Sequence, residues 1–167
     1  MGAQEDLEKI ALQGRELRLP RFDAQVAWEL GSRIRALAAG RGLALVVDVR
    51  RFGQPLFYSV LEGATSNNAD WIRRKSNTVA KFLRSSYATG ITLKMKDATL
   101  AGRYGLAVAD YAPDGGSFPL AVESAGVVGS ATVSGLTQRE DHNLVVEGLC
   151  ALLGRDYAAL RLEPESE

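Results

Sequence analysis

The sequence predicts an α+β domain, an α/β layered fold with one five-stranded, mainly antiparallel sheet covered by amphipathic helices. Three observations carry this reading. Apolar residues recur every three or four positions in four long stretches. Short β-rich runs sit in adjacent pairs separated by turn residues, the mark of hairpins. The segment order is two helices, two strands, a helix, three strands and a helix, which needs few parallel crossovers. No repeat or low-complexity linker divides the 167 residues. They therefore read as one domain over 1–167, with a helical N-terminal part at about 4–40 and the sheet with its covering helices at about 43–153.

Each element has its own local cause. Leu7, Ile10, Ala11, Gly14 and Leu17 form one apolar stripe, so a helix is expected over 4–17. Pro20 interrupts, and Asp23 is a natural N-cap for a second helix striped by Val26, Leu30, Ile34 and Leu37. Phe22 precedes that cap and can staple onto Ala27. Gly40 and Gly42 end the helix. "LALVVDVRR" (43–51) and "PLFYSVL" (55–61) read as a hairpin around "RFGQP". A third helix fits 68–87, capped by Asn67 or Asn68 and closed at Gly90, and "TLKMKDATLAGR" reads as a short helix or irregular connection. Strands are expected at 104–111, 118–124 and 126–135, separated by "APDGG" and "SAG". The last helix spans 138–153, opened by the capping box Thr137–Glu140 and closed by Gly154. The tail "EPESE" is expected to fray.

Lys plus Arg and Asp plus Glu both number 20, so the formal net charge is zero. That argues against a general polyanion binder, hence no nucleic-acid partner, and favours self-association. A single cysteine, Cys150, leaves no internal disulfide and no multi-cysteine zinc site. No run of about 18 apolar residues exists, so no membrane span is expected. "MGAQEDLEKI" lacks the apolar core of a secretory signal, and a cytoplasmic location follows as the expectation.

The pattern breaks in three places. Trp71, Ile72, Val79, Phe82 and Leu83 define the apolar arc of the third helix, and Lys75 falls inside it. A core-facing ammonium must reach water, pair with a carboxylate such as Asp48 or Glu62, or meet an anionic ligand. In the last helix His142, the only histidine, sits at the centre of the arc made by Val145, Val146, Leu149, Leu152 and Leu153. Burial and the helix N-terminus both favour its neutral form. Gly126, Gly129 and Gly135 crowd one strand, where glycine implies a close neighbour: a helix, another subunit or a flat ligand. Backbone N–H groups at Gly115-Gly116 and beyond Gly135 are candidate anion holders. No phosphate-loop fingerprint and no nucleophile elbow accompanies them.

The segments "VVDV" (46–49), "RRKSNTVAKF" (73–82), "GGSFPL" (115–120) and "GVVGSATVSGLTQREDH" (126–142) resemble the GlcG/HbpS-like superfamily, in its branch of small heme-degrading domain-containing proteins. The resemblance implies a profilin-like α-β-α sandwich around a five-stranded antiparallel sheet. It implies ligand-binding residues at Asp48, Lys75, Gly115, Gly116, Ser134, Gly135, Asp141 and His142, and heme or another tetrapyrrole as the candidate cofactor. It also implies homo-oligomers, dimers or larger rings. Many members of the superfamily carry His immediately before Gly-Gly where this chain has Asp114, which removes a second imidazole. Three functions come into view, in this order: a small-molecule binding module for an anionic ligand held by Lys75 in a slot of Trp71 and Phe82, a non-catalytic oligomeric adaptor, and a hydrolase or transferase using Lys75 or His142.

Overall fold

Helices α1 (Ala3–Glu16) and α2 (Ala24–Gly40) lead into the hairpin β1 (Val46–Arg51) and β2 (Gln54–Val60) in the computed structural model, which describes residues 2–165. Helices α3 (Ser66–Phe82), α4 (Ser86–Met95) and α5 (Leu100–Tyr104) follow. The second hairpin, β3 (Ser117–Val122) and β4 (Gly126–Ser134), precedes α6 (Gln138–Leu153) and the short α7 (Tyr157–Leu160). The sheet order is β2-β1-β4-β3, and every neighbouring pair is antiparallel. At the β3 edge Leu19 adds an isolated parallel bridge to Val122, which makes the sheet mixed there.

The sheet has four strands, not the five expected from the sequence. The segment 104–111 finishes α5 and continues as turn and irregular chain. Its backbone is satisfied by α3 rather than by a ladder. Arg74 donates to the Val108 carbonyl at 2.7 Å, Arg73 to that of Ala109 at 2.7 Å and Asn77 to that of Asp110 at 2.9 Å. These donors remove the need for a strand partner. The expected helix 68–87 is in fact two helices. Leu83 turns left-handed (φ 57°), and the Ser85 hydroxyl accepts from Ala88 N at 3.1 Å to start α4. Gly90 therefore lies inside α4 instead of closing α3. A Cβ there would collide with the Pro113 carbonyl, so glycine is what lets the 105–116 loop lie against α4. The first hairpin and the Thr137–Glu140 capping box stand as expected. So does the Asp23 cap, whose Oδ1 accepts from Val26 N at 2.9 Å. Of the tail, Ser166 and Glu167 lie outside the described residues; the Glu163 carbonyl is held by Arg139.

Strand alternation gives the sheet two chemically different faces. Val47, Val49, Phe118, Leu120, Ala131 and Val133 face α2 and α6, where Leu30, Ile34, Val145 and Leu149 are fully buried. Each of the valine, leucine, isoleucine and phenylalanine side chains contributes about 1.5–3 kcal/mol by leaving water, so this side carries the core. The opposite face presents Asp48, Arg50, Ser117, Ser130, Thr132 and Ser134 towards α3. Here hydrogen bonds do the joining. The Ser117 and Thr132 hydroxyls meet at 2.8 Å, and Ser117 N donates to the Ser86 hydroxyl at 3.0 Å. The candidate site lies on this polar seam.

Candidate functional site

Lys75 is the centre of the seam. It lies on α3 over the end of β4 and is 2% exposed. Its ammonium donates to the Val133 carbonyl at 2.6 Å, the Gly115 carbonyl at 3.0 Å and Asp141 Oδ2 at 3.2 Å. Three protons meet three acceptors, so the group is fully used within the chain. Its carboxylate partner is Asp141, on the first turn of α6, rather than Asp48 or Glu62. The other oxygen of Asp141 accepts from Leu136 N at 2.9 Å. Burial pulls the Lys75 pKa down and the Asp141 pKa up, and each charge opposes the shift of the other. Three oxygens at 2.6–3.2 Å around Nζ suit an ammonium facing a carboxylate, in which each charge supports the other against burial.

The glycines make this clamp possible. A Cβ at Gly116 (φ 135°) would collide with Lys75 Nζ. A Cβ at Gly115 would collide with the Gln138 carbonyl. Gln138 in turn accepts from Gly115 N at 3.0 Å through its side chain. Gly135 and Gly129 answer the crowding of β4: their Cβ atoms would strike the carbonyls of Ala44 and Arg50. The close neighbour at both is the chain's own backbone.

Above the clamp opens a cavity of about 290 Å³. Lys75, Gly115, Ser134, Gly135 and Asp141 all line it, together with Asn68, Trp71, Asp114, Leu136 and Gln138. Gly116 lies behind Lys75. The sequence thus pointed to five lining residues and one supporting residue of a single place. Asp48 and His142 are elsewhere. Asp48 is fully buried under a bidentate contact from Arg50, at 2.7 and 2.8 Å. Phe82 does not join Trp71 in a slot; it packs against Tyr104, with ring centroids 4.9 Å apart. Asn68, Leu136 and Gln138 were missed as site residues. Leu136 and Gln138 could have been found, because both lie within the segment 126–142 that carries the resemblance, whereas Asn68 is placed only by the docking of α3. Asp114 is half-buried; burial raises its pKa, and Lys75 and Arg74 oppose that.

His142 is fully buried on the other side of β3 and β4, between Phe118 and Tyr87. Gln13 Nε2 donates to the Leu160 carbonyl at 2.7 Å, which leaves Gln13 Oε1 to face His142 Nε2 at 2.8 Å. Nε2 therefore carries the proton, and Nδ1 is left bare with no partner among the described residues. Burial, with Arg139 adding to it, lowers the imidazole pKa to about 3. Arg139 itself grips Asp6 at 2.8 and 2.9 Å, tying α1 to α6. His142 and Arg139 together hold both chain ends against α6.

A second, larger groove of about 920 Å³ adjoins the first, and Asp114 and Gln138 line both. Ile91, Leu93, Met95 and Leu100 supply apolar wall, Tyr87 and Tyr111 supply rings, and Arg74 and Lys94 supply positive charge. No cluster of three or more His, Cys, Asp or Glu that could hold a metal ion occurs among the described residues. No helix among them is long and apolar enough to cross a membrane.

Comparison with known proteins places this geometry. A family model described as "Haem degrading protein HbpS-like" matches residues 22–150. A UPF0303 protein of Paraburkholderia phymatum is 58% identical over 162 residues, 97% of this chain and 98% of that protein. A UPF0303 protein of Burkholderia thailandensis is 59% identical over 157 residues, 94% and 95% of the two chains. The crystal structure of the Ybr137w protein is similar with a TM-score of 0.82 and 28% identity, covering 90% of this chain and 89% of that one. HbpS is similar in fold at a TM-score of 0.63 and 17% identity, over 83% and 94% of the chains. With a matching model that spans the sheet, α3 and the Lys75–Asp141 clamp, the chain belongs to the HbpS-like family and, within it, to the UPF0303 proteins.

Proposed function

We propose that the protein is a small-molecule binding module whose ligand is an anionic molecule of tetrapyrrole size, with heme the first candidate. The observation that carries the reading is the pair of adjoining cavities, about 920 and 290 Å³, which meet at Asp114 and Gln138. Ligand sites are commonly clefts of about 300–1,000 Å³ with mostly apolar walls and a few placed polar groups. The polar end is the ring of Ser134, Gly135 and Asp141 around Lys75; the apolar body of a ligand lies along Ile91 and Met95. Lys75 has no proton to spare, so ligand carboxylates fall to Arg74 and Lys94. A structure of a PduOC–heme complex shares the fold at a TM-score of 0.63 and 15% identity, over 74% of this chain and 88% of that one.

The residues present fit heme only in part. His142 is enclosed and its protonated nitrogen is bonded to Gln13, so it does not offer an axial ligand. Tyr111 and Met95 line the groove, and both are side-chain types that ligate heme iron. Titrating hemin into the pure protein should therefore raise a Soret band in the wild type and in His142→Ala, while Tyr111→Phe with Met95→Ala changes its position or removes it. A Soret band lost in His142→Ala but kept in the double variant refutes this assignment.

The adaptor reading keeps one specific observation. Helix α3 packs on β4, β3 and β1, and leaves Tyr58 and Val60 of edge strand β2 exposed, at 47% and 52%. An edge strand with exposed apolar residues invites a second copy. We propose a homo-oligomer, dimer at least, held in the cytoplasm, where the free, buried Cys150 fits a reducing compartment. Light scattering at micromolar concentration should give at least twice the mass of one chain, and Val60→Lys should lower it; a monomer discards both the oligomer and the adaptor.

A further inference from the structure

The chain is neutral overall, yet its charges are not evenly spread. Between Arg73 and Tyr104 there are eight lysines and arginines and one acid, Asp97. Three of these cations, Arg84, Lys96 and Arg103, converge on one recess of about 40 Å³ between the end of α3, α4 and α5. Thr89 and Thr92 line it as well. None of the three cations has a carboxylate within 4 Å among the described residues, whereas Arg73 a few positions earlier has two, from Asp70 and Asp110. Arg84 spends one amino group on the Thr92 hydroxyl at 3.2 Å and the Ala88 carbonyl at 3.5 Å, which fixes it at the rim with other N–H donors free.

Backbone conformation singles out the same place. Among the described residues only Leu83 (φ 57°) and Asp97 (φ 48°) are non-glycine residues with positive φ. Each is the immediate neighbour of a recess cation, Leu83 of Arg84 and Asp97 of Lys96. Side chains rarely adopt this conformation, and such strain concentrates where a functional group must be aimed. Exposed, self-repelling cations would splay apart in water unless something held them; here two helix ends turn them into one notch.

We infer that this recess, which shares only Leu93 with the groove, is a second ligand site, and that it takes a phosphate monoester carrying a planar ring, of which a nucleoside monophosphate is the type. The recess is too small for more than the oxyanion itself. Guanidinium forks and an ammonium match phosphate geometry and charge, and the Thr92 hydroxyl, which accepts from Arg84, adds a donor; Thr89 spends its proton on the Ser85 carbonyl at 3.0 Å. The rest of the ligand lies outside, where Tyr104 is 47% exposed with its ring braced edge-on by Phe82 at 4.9 Å. An aromatic face so placed stacks a ring attached to the phosphate.

The test uses the full chain, uniformly ¹⁵N-labelled, at a fixed ionic strength of about 0.15 M so that diffuse screening is constant. Inorganic phosphate, adenosine 5′-monophosphate and adenosine are titrated separately while amide shifts are followed. Phosphate and the monophosphate should give saturable shifts centred on Arg84, Thr92, Lys96 and Arg103 and absent from the groove residues Tyr111, Asp114 and Gln138, with the monophosphate about tenfold tighter and adenosine inert. Arg84→Gln, Lys96→Gln and Arg103→Gln should each weaken both by about tenfold, and the triple variant should abolish them. All three residues are exposed, so the variants keep the fold, which unchanged amide positions elsewhere verify. Shifts that never saturate, that spread over all basic surfaces, or that persist in the triple variant overturn the site. A monophosphate no tighter than phosphate, or adenosine binding as well, overturns the ligand class. Hemin binding is read at the groove and does not enter either outcome.

Discussion

Lys75→Met should destabilise the protein by about 3–5 kcal/mol, the range for breaking a buried pair by removing one partner. The substitution keeps the aliphatic stem but leaves Asp141 as a buried carboxylate without its cation, held by the backbone N–H groups of Leu136 and Gly135. It also orphans the carbonyls of Gly115 and Val133, which the ammonium joins at 3.0 and 2.6 Å. For a domain of this size the loss corresponds to a melting temperature lower by roughly 6–20 °C. The double variant Lys75→Met with Asp141→Leu removes both charges, and more than half of the loss should return. Chemical denaturation of the two variants and wild type, analysed as a double-mutant cycle, measures this. A Lys75→Met protein within about 0.5 kcal/mol of wild type would mean that the clamp is not a structural element at all. The lysine would then be a free cation for a ligand.

The second large effect is acid destabilisation through His142. Its folded pKa of about 3 lies below its ordinary value of 6.5. Between those two values the unfolded chain holds a proton that the folded chain refuses. Stability is therefore intact above pH 6.5 and falls as pH drops, by up to about 1.4 kcal/mol per unit and about 5 kcal/mol over the whole window. Groups facing the ring are Arg139, which deepens the shift, and Asp6, which opposes it. The carboxyls with raised pKa values, Asp48, Asp114 and Asp141, act in the opposite sense on acidification, so the comparison must be between variants. His142→Gln keeps a donor for Gln13 Oε1 and removes the titration. Urea unfolding at pH 7, 6 and 5 should show wild type losing stability faster than His142→Gln, with the gap widening by about 1 kcal/mol or more per unit below pH 6. Parallel profiles would show that the imidazole protonates in the folded state, and with it that the ring reaches water.

Glycine, lysine and aspartate in this site were legible for different reasons. Lys75 announced itself because a cation in an apolar helical arc must be answered by something, and Gly115-Gly116 because adjacent glycines permit close approach. The partner of Lys75 was not legible: Asp141 is 66 positions away, and only the docking of α6 beside β4 brings it to 3.2 Å. His142 shows the converse. Its burial followed from the helical wheel, but adjacency to Asp141 in sequence says nothing about sharing a site. Successive residues on a helix point about 100° apart, so one faces the seam and the other the core beneath β3.

What the sequence determined by itself was local: the Asp23 and Thr137 caps, the two hairpins, the apolar stripes of α2 and α6, and the glycines where chains nearly touch. These depend on contacts a few residues apart, so composition and spacing suffice. In α1 the buried face is Asp6, Ile10 and Gln13, and Ala11 and Gly14 of the expected stripe are exposed. Tertiary structure alone decided the fate of 104–111. Its apolar alternation suited a strand, but Arg73, Arg74 and Asn77 of α3 reach its carbonyls first, and a backbone already hydrogen-bonded gains nothing from joining a sheet. It also decided the split of α3 from α4 and the gathering of Arg84, Lys96 and Arg103 around one recess. A chain with zero net charge can carry a concentrated positive site because electrostatics acts through distance in space, and only folding sets that distance.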